Sequence, residues 1–112
     1  MTPKEYQHEA LRTLYSDLTY QERLSLCGLG LSGETGEIAD ILKKFLHHRN
    51  GKPLDVEKMR SEMGDVLWYF AILLDTLGLT FEDVMKANVD KLRQRHPEGF
   101  RPRYGSDSGA SE

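Results

Sequence analysis

Two short stretches decide the fold: Glu34-Thr35-Gly36-Glu37 and Glu62-Met63-Gly64-Asp65, the second running on into Val66-Leu67-Trp68-Tyr69-Phe70-Ala71-Ile72-Leu73-Leu74. Each begins with two acids at i, i+3, which puts both carboxylates on one face of a helix. Each also interrupts an apolar stripe. Cys27, Leu31, Ile38, Ile41 and Phe45 recur at helical spacing, with Glu34 set between Leu31 and Ile38. Met59, Met63, Val66, Phe70, Leu73 and Leu77 do the same, with Glu62 between Met59 and Val66. A carboxylate on the inward edge of an amphipathic helix is costly unless something compensates it. Four converging carboxylates would also repel one another. A divalent cation between the two helices answers both problems.

Working outward, the helical reading extends along the chain. Thr2-Pro3-Lys4-Glu5 reads as a helix start, with Thr2 as N-cap, Pro3 in the first turn and Glu5 closing a capping box. Tyr6, Ala10, Leu11, Leu14 and Leu18 carry that first helix to about residue 16. The second helical segment runs from about Gln21 to His48. Its Gly28, Gly30, Gly33 and Gly36 each cost roughly 1 kcal/mol against alanine in a helix interior. They predict a kink near Gly28–Gly30, a loop between two shorter helices, or close approach of another backbone. Arg49-Asn50-Gly51-Lys52-Pro53 reads as a turn. A third helix is expected from an Asp55 N-cap to Leu77. Its run from Trp68 to Leu74 is apolar on nearly all sides, which calls for burial on more than one face or at a subunit contact. Gly78 is its stop. Thr80 caps a fourth helix, with Glu82 and Asp83 in its first turn, that ends near His96 before Pro97.

The fold class expected is all-α, a four-to-five-helix bundle completed by oligomerisation. Residues 1–100 would form one domain and residues 101–112, poor in apolar side chains, a disordered tail. The four prolines fall near the ends of the helical patterns. With 29% charged and 38% hydrophobic residues, the composition suits a soluble globular chain. A formal net charge of −3 argues against a nucleic-acid-binding surface. Cys27, the single cysteine, excludes an intrachain disulfide and fits a reducing, cytoplasmic setting. Neither a signal peptide nor a membrane span is expected.

Oxygen ligands without Cys or His suit a hard cation, Mg²⁺ first and Mn²⁺ second. A di-iron carboxylate site would need Glu-x-x-His pairs, and neither pair contains histidine. His47-His48 sits at a helix end, where it suits the dipole. A Mg²⁺ site that keeps waters usually also takes phosphates. Cationic partners are therefore sought nearby. Lys43 and Lys44 follow Glu37 by about two turns. Asn88, Lys91 and Arg95 share one face of the fourth helix. For all of these a plain solvated basic face is the competing explanation.

The flanks of the acidic pairs resemble the MazG-like, all-α nucleoside triphosphate pyrophosphohydrolases, a superfamily that includes dimeric dUTPases, dCTP pyrophosphatases and phosphoribosyl-ATP pyrophosphohydrolase. The superfamily signature is Glu-x-x-Glu, a spacer, then Glu-x-x-Asp. Here 24 residues, 38–61, separate the pairs. Leu29 through Lys44 is similar to the first motif and Gly64 through Tyr69 to the second. Asn88, Lys91-Leu92, Arg95 and Pro97 are similar to a closing element, and the Tyr6-Gln7 start is also similar. The likeness spans roughly residues 3–100.

What the resemblance implies is a Mg²⁺-dependent enzyme that cleaves a nucleoside triphosphate between the α and β phosphates. Glu34, Glu37, Glu62 and Asp65 would be metal ligands. Either Glu34 or Glu37 would orient or deprotonate the attacking water. Lys44, Asn88, Lys91 and Arg95 would hold phosphates, Asp40 would support the cluster, and Tyr69 would contact the base. For Trp68 core packing is the expected role. The resemblance also implies a homodimer or homotetramer. It leaves open the base and the sugar. The rival explanation is a non-enzymatic helical oligomer whose acids bind a structural cation.

Overall fold

In the computed structural model, residues 1–48 and 51–99 are described. They form helices α1 (Pro3–Leu11), α2 (Tyr20–Lys43), α3 (Val56–Thr76) and α4 (Phe81–Arg95), with one π-helical turn, Lys44–His48, continuing α2. No strand occurs among the described residues, so the protein is all-α. The expected tail at 101–112, and Arg49 and Asn50 of the expected turn, lie outside the described residues.

The helix starts follow from local chemistry. The Thr2 hydroxyl accepts from the Glu5 amide at 3.1 Å, and the Glu5 carboxylate accepts from the Thr2 amide at 2.8 Å. Thr19 and Glu22 repeat this reciprocal box at the head of α2, at 3.1 and 2.8 Å. Each box satisfies two backbone donors that a helix otherwise leaves open. The Asp55 carboxylate accepts from the Lys58 amide at 3.0 Å to open α3. That helix closes in a Schellman arrangement. Leu79 N–H reaches back to the Leu74 carbonyl at 2.8 Å and Gly78 N–H to the Asp75 carbonyl at 3.0 Å. Gly78 takes φ +72°, which only glycine adopts freely.

Two expectations are corrected. First, α1 stops at Leu11 instead of near residue 16. Thr13 is the reason: its hydroxyl donates to the Ala10 carbonyl at 2.8 Å, competing with the helical ladder, while short-range i, i+3 backbone bonds tighten the chain into a turn. Second, α2 runs without interruption through Gly28, Gly30, Gly33 and Gly36. No loop forms there. Packing of one face against α3 outweighs the weak helix propensity of the glycines.

The chain divides into two units, Met1–Thr80 and a second beginning at Phe81. Within the first, α2 and α3 lie antiparallel. Arg23 pairs with Asp75 at 3.0 Å, Gly30 faces Tyr69, and Glu34 faces Glu62 and Asp65. Cys27 on α2 and Ile72 on α3 are both fully buried. Ala71 and Leu74 complete the buried face of α3, and Ala10 adds the contribution of α1.

Three hydrogen bonds hold α1 and the turn after it to α3. The Gln7 side-chain amide donates to the carbonyls of Ala71 at 3.4 Å and Leu79 at 3.3 Å. The Trp68 indole N–H donates to the Thr13 hydroxyl at 2.8 Å. The expected two-sided burial of α3 therefore holds for its C-terminal half. Its N-terminal half differs, because Met63 and Leu67 are exposed at 55% and 41%. The second unit is α4, whose Asn88, Lys91 and Arg95 are all exposed.

Candidate metal centre

Antiparallel pairing of two amphipathic helices brings the acids together. One carboxylate oxygen each from Glu34, Glu62 and Asp65 lies within 4.8 Å of the others. Glu34 and Glu62 are half-buried and Asp65 is exposed. Glu34 occupies the inward stripe of α2, between half-buried Leu31 and Ile38, as its spacing requires. Glu37 is exposed one turn further on and stands outside this three-way cluster.

The electrostatics register the crowding. Partial desolvation between the helices raises the Glu34 carboxyl above its ordinary value of 4.5. A hydrogen bond with Glu62 raises it further, as do the charges of Asp65, Glu62 and Glu37. A carboxylate among carboxylates keeps its proton longer, because like charges disfavour the ionised form. A bound cation inverts that balance. Three oxygens from hard carboxylate ligands, with open positions on the solvent side of Asp65, fit a divalent cation that retains waters.

At the other end of α2, Asp40 is engaged by two lysines. Lys44 Nζ lies 2.8 Å from one carboxylate oxygen and Lys43 Nζ 3.6 Å from the other. The Lys44 hydrogen bond is the main reason the Asp40 carboxyl sits below its ordinary value. The same bond raises Lys44, and Glu37 adds to the effect. Asp40 thus orients Lys44 on the side of α2 that carries Glu37, instead of joining the acidic cluster.

Tyr69 and Trp68 flank the cluster on α3. Their rings meet edge to face, with centroids 5.0 Å apart and planes at 90°. Trp68 is half-buried and hydrogen-bonded to Thr13, so it serves as packing. Asn88, Lys91 and Arg95 belong to the separate α4 unit, where they share a face at i, i+3 and i+7.

One neighbour of the cluster reads in the sequence only as part of the first helix and of the family-like start. Tyr6 of α1 has its phenol raised by desolvation and by the charge of Asp65, which brings the first helix into the electrostatic field of the site. The Thr19-x-x-Glu22 box was equally open to view, and it fixes where α2 begins.

Fold and acidic centre together define a class. The MazG nucleotide pyrophosphohydrolase domain matches residues 22–100, and the chain belongs to that family. Membership brings a nucleotide pyrophosphohydrolase type of function, with a nucleotide as substrate and a general dependence on divalent cations. Among curated relatives, the "Gene 37 protein" of Mycobacterium phage L5 is 38% identical over 80 residues, spanning 70% of this chain and 70% of the relative. The "Uncharacterized protein YvdC" of Bacillus subtilis (strain 168) is 38% identical over 73 residues, spanning 58% of this chain and 68% of the relative. No solved structure matches. No single helix among the described residues is long and apolar enough to cross a membrane.

Proposed function

We propose that this protein is a Mg²⁺-dependent nucleoside triphosphate pyrophosphohydrolase that releases a monophosphate and pyrophosphate. The observation that carries this is the convergence of Glu34, Glu62 and Asp65 from two facing helices, with Glu34 held above its ordinary value. Such a centre is poised to exchange a proton for a cation. Bound there, Mg²⁺ would neutralise phosphate oxygens and make a coordinated water more acidic.

The chain's own groups do the rest. Glu34, Glu62 and Asp65 would hold the cation as carboxylates. Glu37, exposed and outside the three-way cluster, accepts the proton of the attacking water. The water oxygen bonds to the α phosphorus as the bond from that phosphorus to the α–β bridging oxygen breaks, and pyrophosphate leaves. Lys44, presented by Asp40, supplies positive charge beside Glu37, while Asn88, Lys91 and Arg95 bind phosphates from α4. Tyr69 contacts the base or sugar.

The protein acts as a homodimer or homotetramer. Leu29, Leu46, Val56 and Met63 are each more than half exposed, apolar side chains that contact with a second copy would cover.

The deciding experiment is a panel of NTPs and dNTPs incubated with and without Mg²⁺, with product identification. Monophosphate and pyrophosphate appearing only with metal is the expected result. Diphosphate with orthophosphate would refute the bond assignment. Absence of turnover across the panel would favour a binding module with a structural cation. Glu37→Gln and Asp65→Asn should each abolish turnover while leaving the fold intact.

A further inference from the structure

Gly30 differs from the other glycines of α2 and α3. At Gly28, Gly33, Gly36 and Gly64 an added Cβ would meet nothing within 4 Å. At Gly30 it would overlap the Tyr69 ring at Cδ1, Cε1 and Cζ, far inside any real carbon–carbon contact. The ring edge therefore lies directly on the α2 backbone. Such an approach is available only where the helix has no side chain.

The location gives this contact its meaning. Gly30 is one turn before Glu34 on α2, and Tyr69 is one turn after Asp65 on α3. In an antiparallel pair these positions adjoin the acidic cluster along the interhelical cleft. The ring is fixed from a second side by the edge of Trp68, whose indole N–H is anchored on Thr13. Tyr69 nevertheless stays half-buried, so part of it remains open for contact. A ring trapped between a bare helix backbone and an anchored indole loses little further freedom when a ligand rests on it.

We propose that Gly30 is a positioning residue for the nucleotide. By admitting Tyr69 onto the α2 backbone, it sets an aromatic wall at one end of the acidic cleft, against which the nucleoside part of the substrate rests. This rests on the hydrolase function proposed above. Gly30 touches neither cation nor phosphate and acts only through the ring. A methyl group at position 30 would push the ring along the cleft, misplacing the nucleoside while leaving the carboxylates where they are.

A double-mutant cycle tests this, using Gly30→Ala, Tyr69→Ala and the combination. The probes are the α,β-methylene analogues of dATP and dCTP with Mg²⁺, and Mg²⁺ alone. Gly30→Ala should weaken analogue binding by about ten-fold, and in the Tyr69→Ala background it should add less than about two-fold. Affinity for Mg²⁺ alone should stay within about two-fold, and the near-ultraviolet circular dichroism of the Trp68–Tyr69 pair should change. With hydrolysable substrate, KM should carry the effect and kcat should not. An equal loss with and without the Tyr69 ring would overturn the assignment, as would unchanged analogue affinity or an equal loss in Mg²⁺ affinity.

If Gly30→Ala does not fold, pairing it with Tyr69→Leu should restore folding by vacating the ring, and failure to do so would also overturn it. Wild-type protein that binds no analogue and hydrolyses no nucleotide would refute the hydrolase function itself. An active wild type with an indistinguishable Gly30→Ala variant would refute the role of Gly30 alone.

Discussion

Glu62→Gln should separate the two jobs of the acidic cluster, being compatible with the fold and holding a cation. Octahedral Mg²⁺ binds oxygens at about 2.1 Å, so adjacent ligand oxygens sit about 3 Å apart and opposite ones about 4.2 Å. The three oxygens found here lie within 4.8 Å of one another, close to that scale. At a free Mg²⁺ concentration ten times Kd, binding to the native state adds RT ln 11, about 1.4 kcal/mol. For a chain of this size, that is a rise of roughly 5–10 °C in Tm.

The variant loses one of the three charges, and its amide can still donate to Glu34. Without metal, its Tm should hold or rise. A ten-fold weaker site would leave only RT ln 2 at the same concentration, about 0.4 kcal/mol, and a shift of roughly 2–3 °C. The assay is thermal unfolding by circular dichroism across a Mg²⁺ titration, with NaCl at matched ionic strength to remove general screening. A clear fall in metal-free Tm would show that Glu62 is structural. A full Mg²⁺ shift in the variant would show that the cation binds elsewhere.

Three further outcomes are expected. Glu34 is raised in the folded protein, so the native state binds its proton more tightly than the unfolded chain. The Glu34 contribution to metal-free stability should be fully present below the ordinary value of 4.5 for this group and be lost as pH rises through its raised folded value, seen as a difference from Glu34→Gln in unfolding across pH, while Mg²⁺ affinity measured by calorimetry should climb over the same interval. Ile72→Ala empties a fully buried position opposite Cys27 and should cost about 3 kcal/mol in denaturant unfolding, a large share of the stability of so small a core. Gly33→Ala, where an added Cβ meets open space, should stabilise an isolated chain by up to about 1 kcal/mol. Unchanged or reduced stability with loss of the oligomer in sedimentation would instead mean that a second copy approaches α2 there.

Much of this was written in periodicities. Helical spacing around Glu34 and Glu62 placed both acids inward, and antiparallel pairing then had to bring them face to face. The cap at Thr2, the one at Asp55 and the glycine stop at 78 were legible because each depends on residues within four positions. The run of glycines in α2 was not, because local propensity says nothing about what lies across the cleft. Only the fold shows that Gly30 answers to Tyr69 while its neighbours face open space. The early end of α1 escaped because the apolar spacing to Leu18 outlasts the helix, which the Thr13 hydroxyl closes on the Ala10 carbonyl. Met63 and Leu77 were assigned to the inward stripe of α3, yet both are exposed. A stripe read from spacing alone fixes the period of a helix but leaves its rotation uncertain by a residue.

The link between α1 and α3 has a practical consequence. The family domain matches from residue 22, past the whole of α1. Yet Gln7 reaches two carbonyls near the end of α3, and Thr13 holds the indole that backs Tyr69. The stretch matched by the family domain is therefore shorter than the stretch that folds together. A fragment trimmed to residue 22 would keep every candidate ligand but strip Trp68 of its anchor and leave Ala71 and Leu79 carbonyls without the Gln7 amide. Anyone minimising this protein should take the boundary from its hydrogen bonds and not from its kinship.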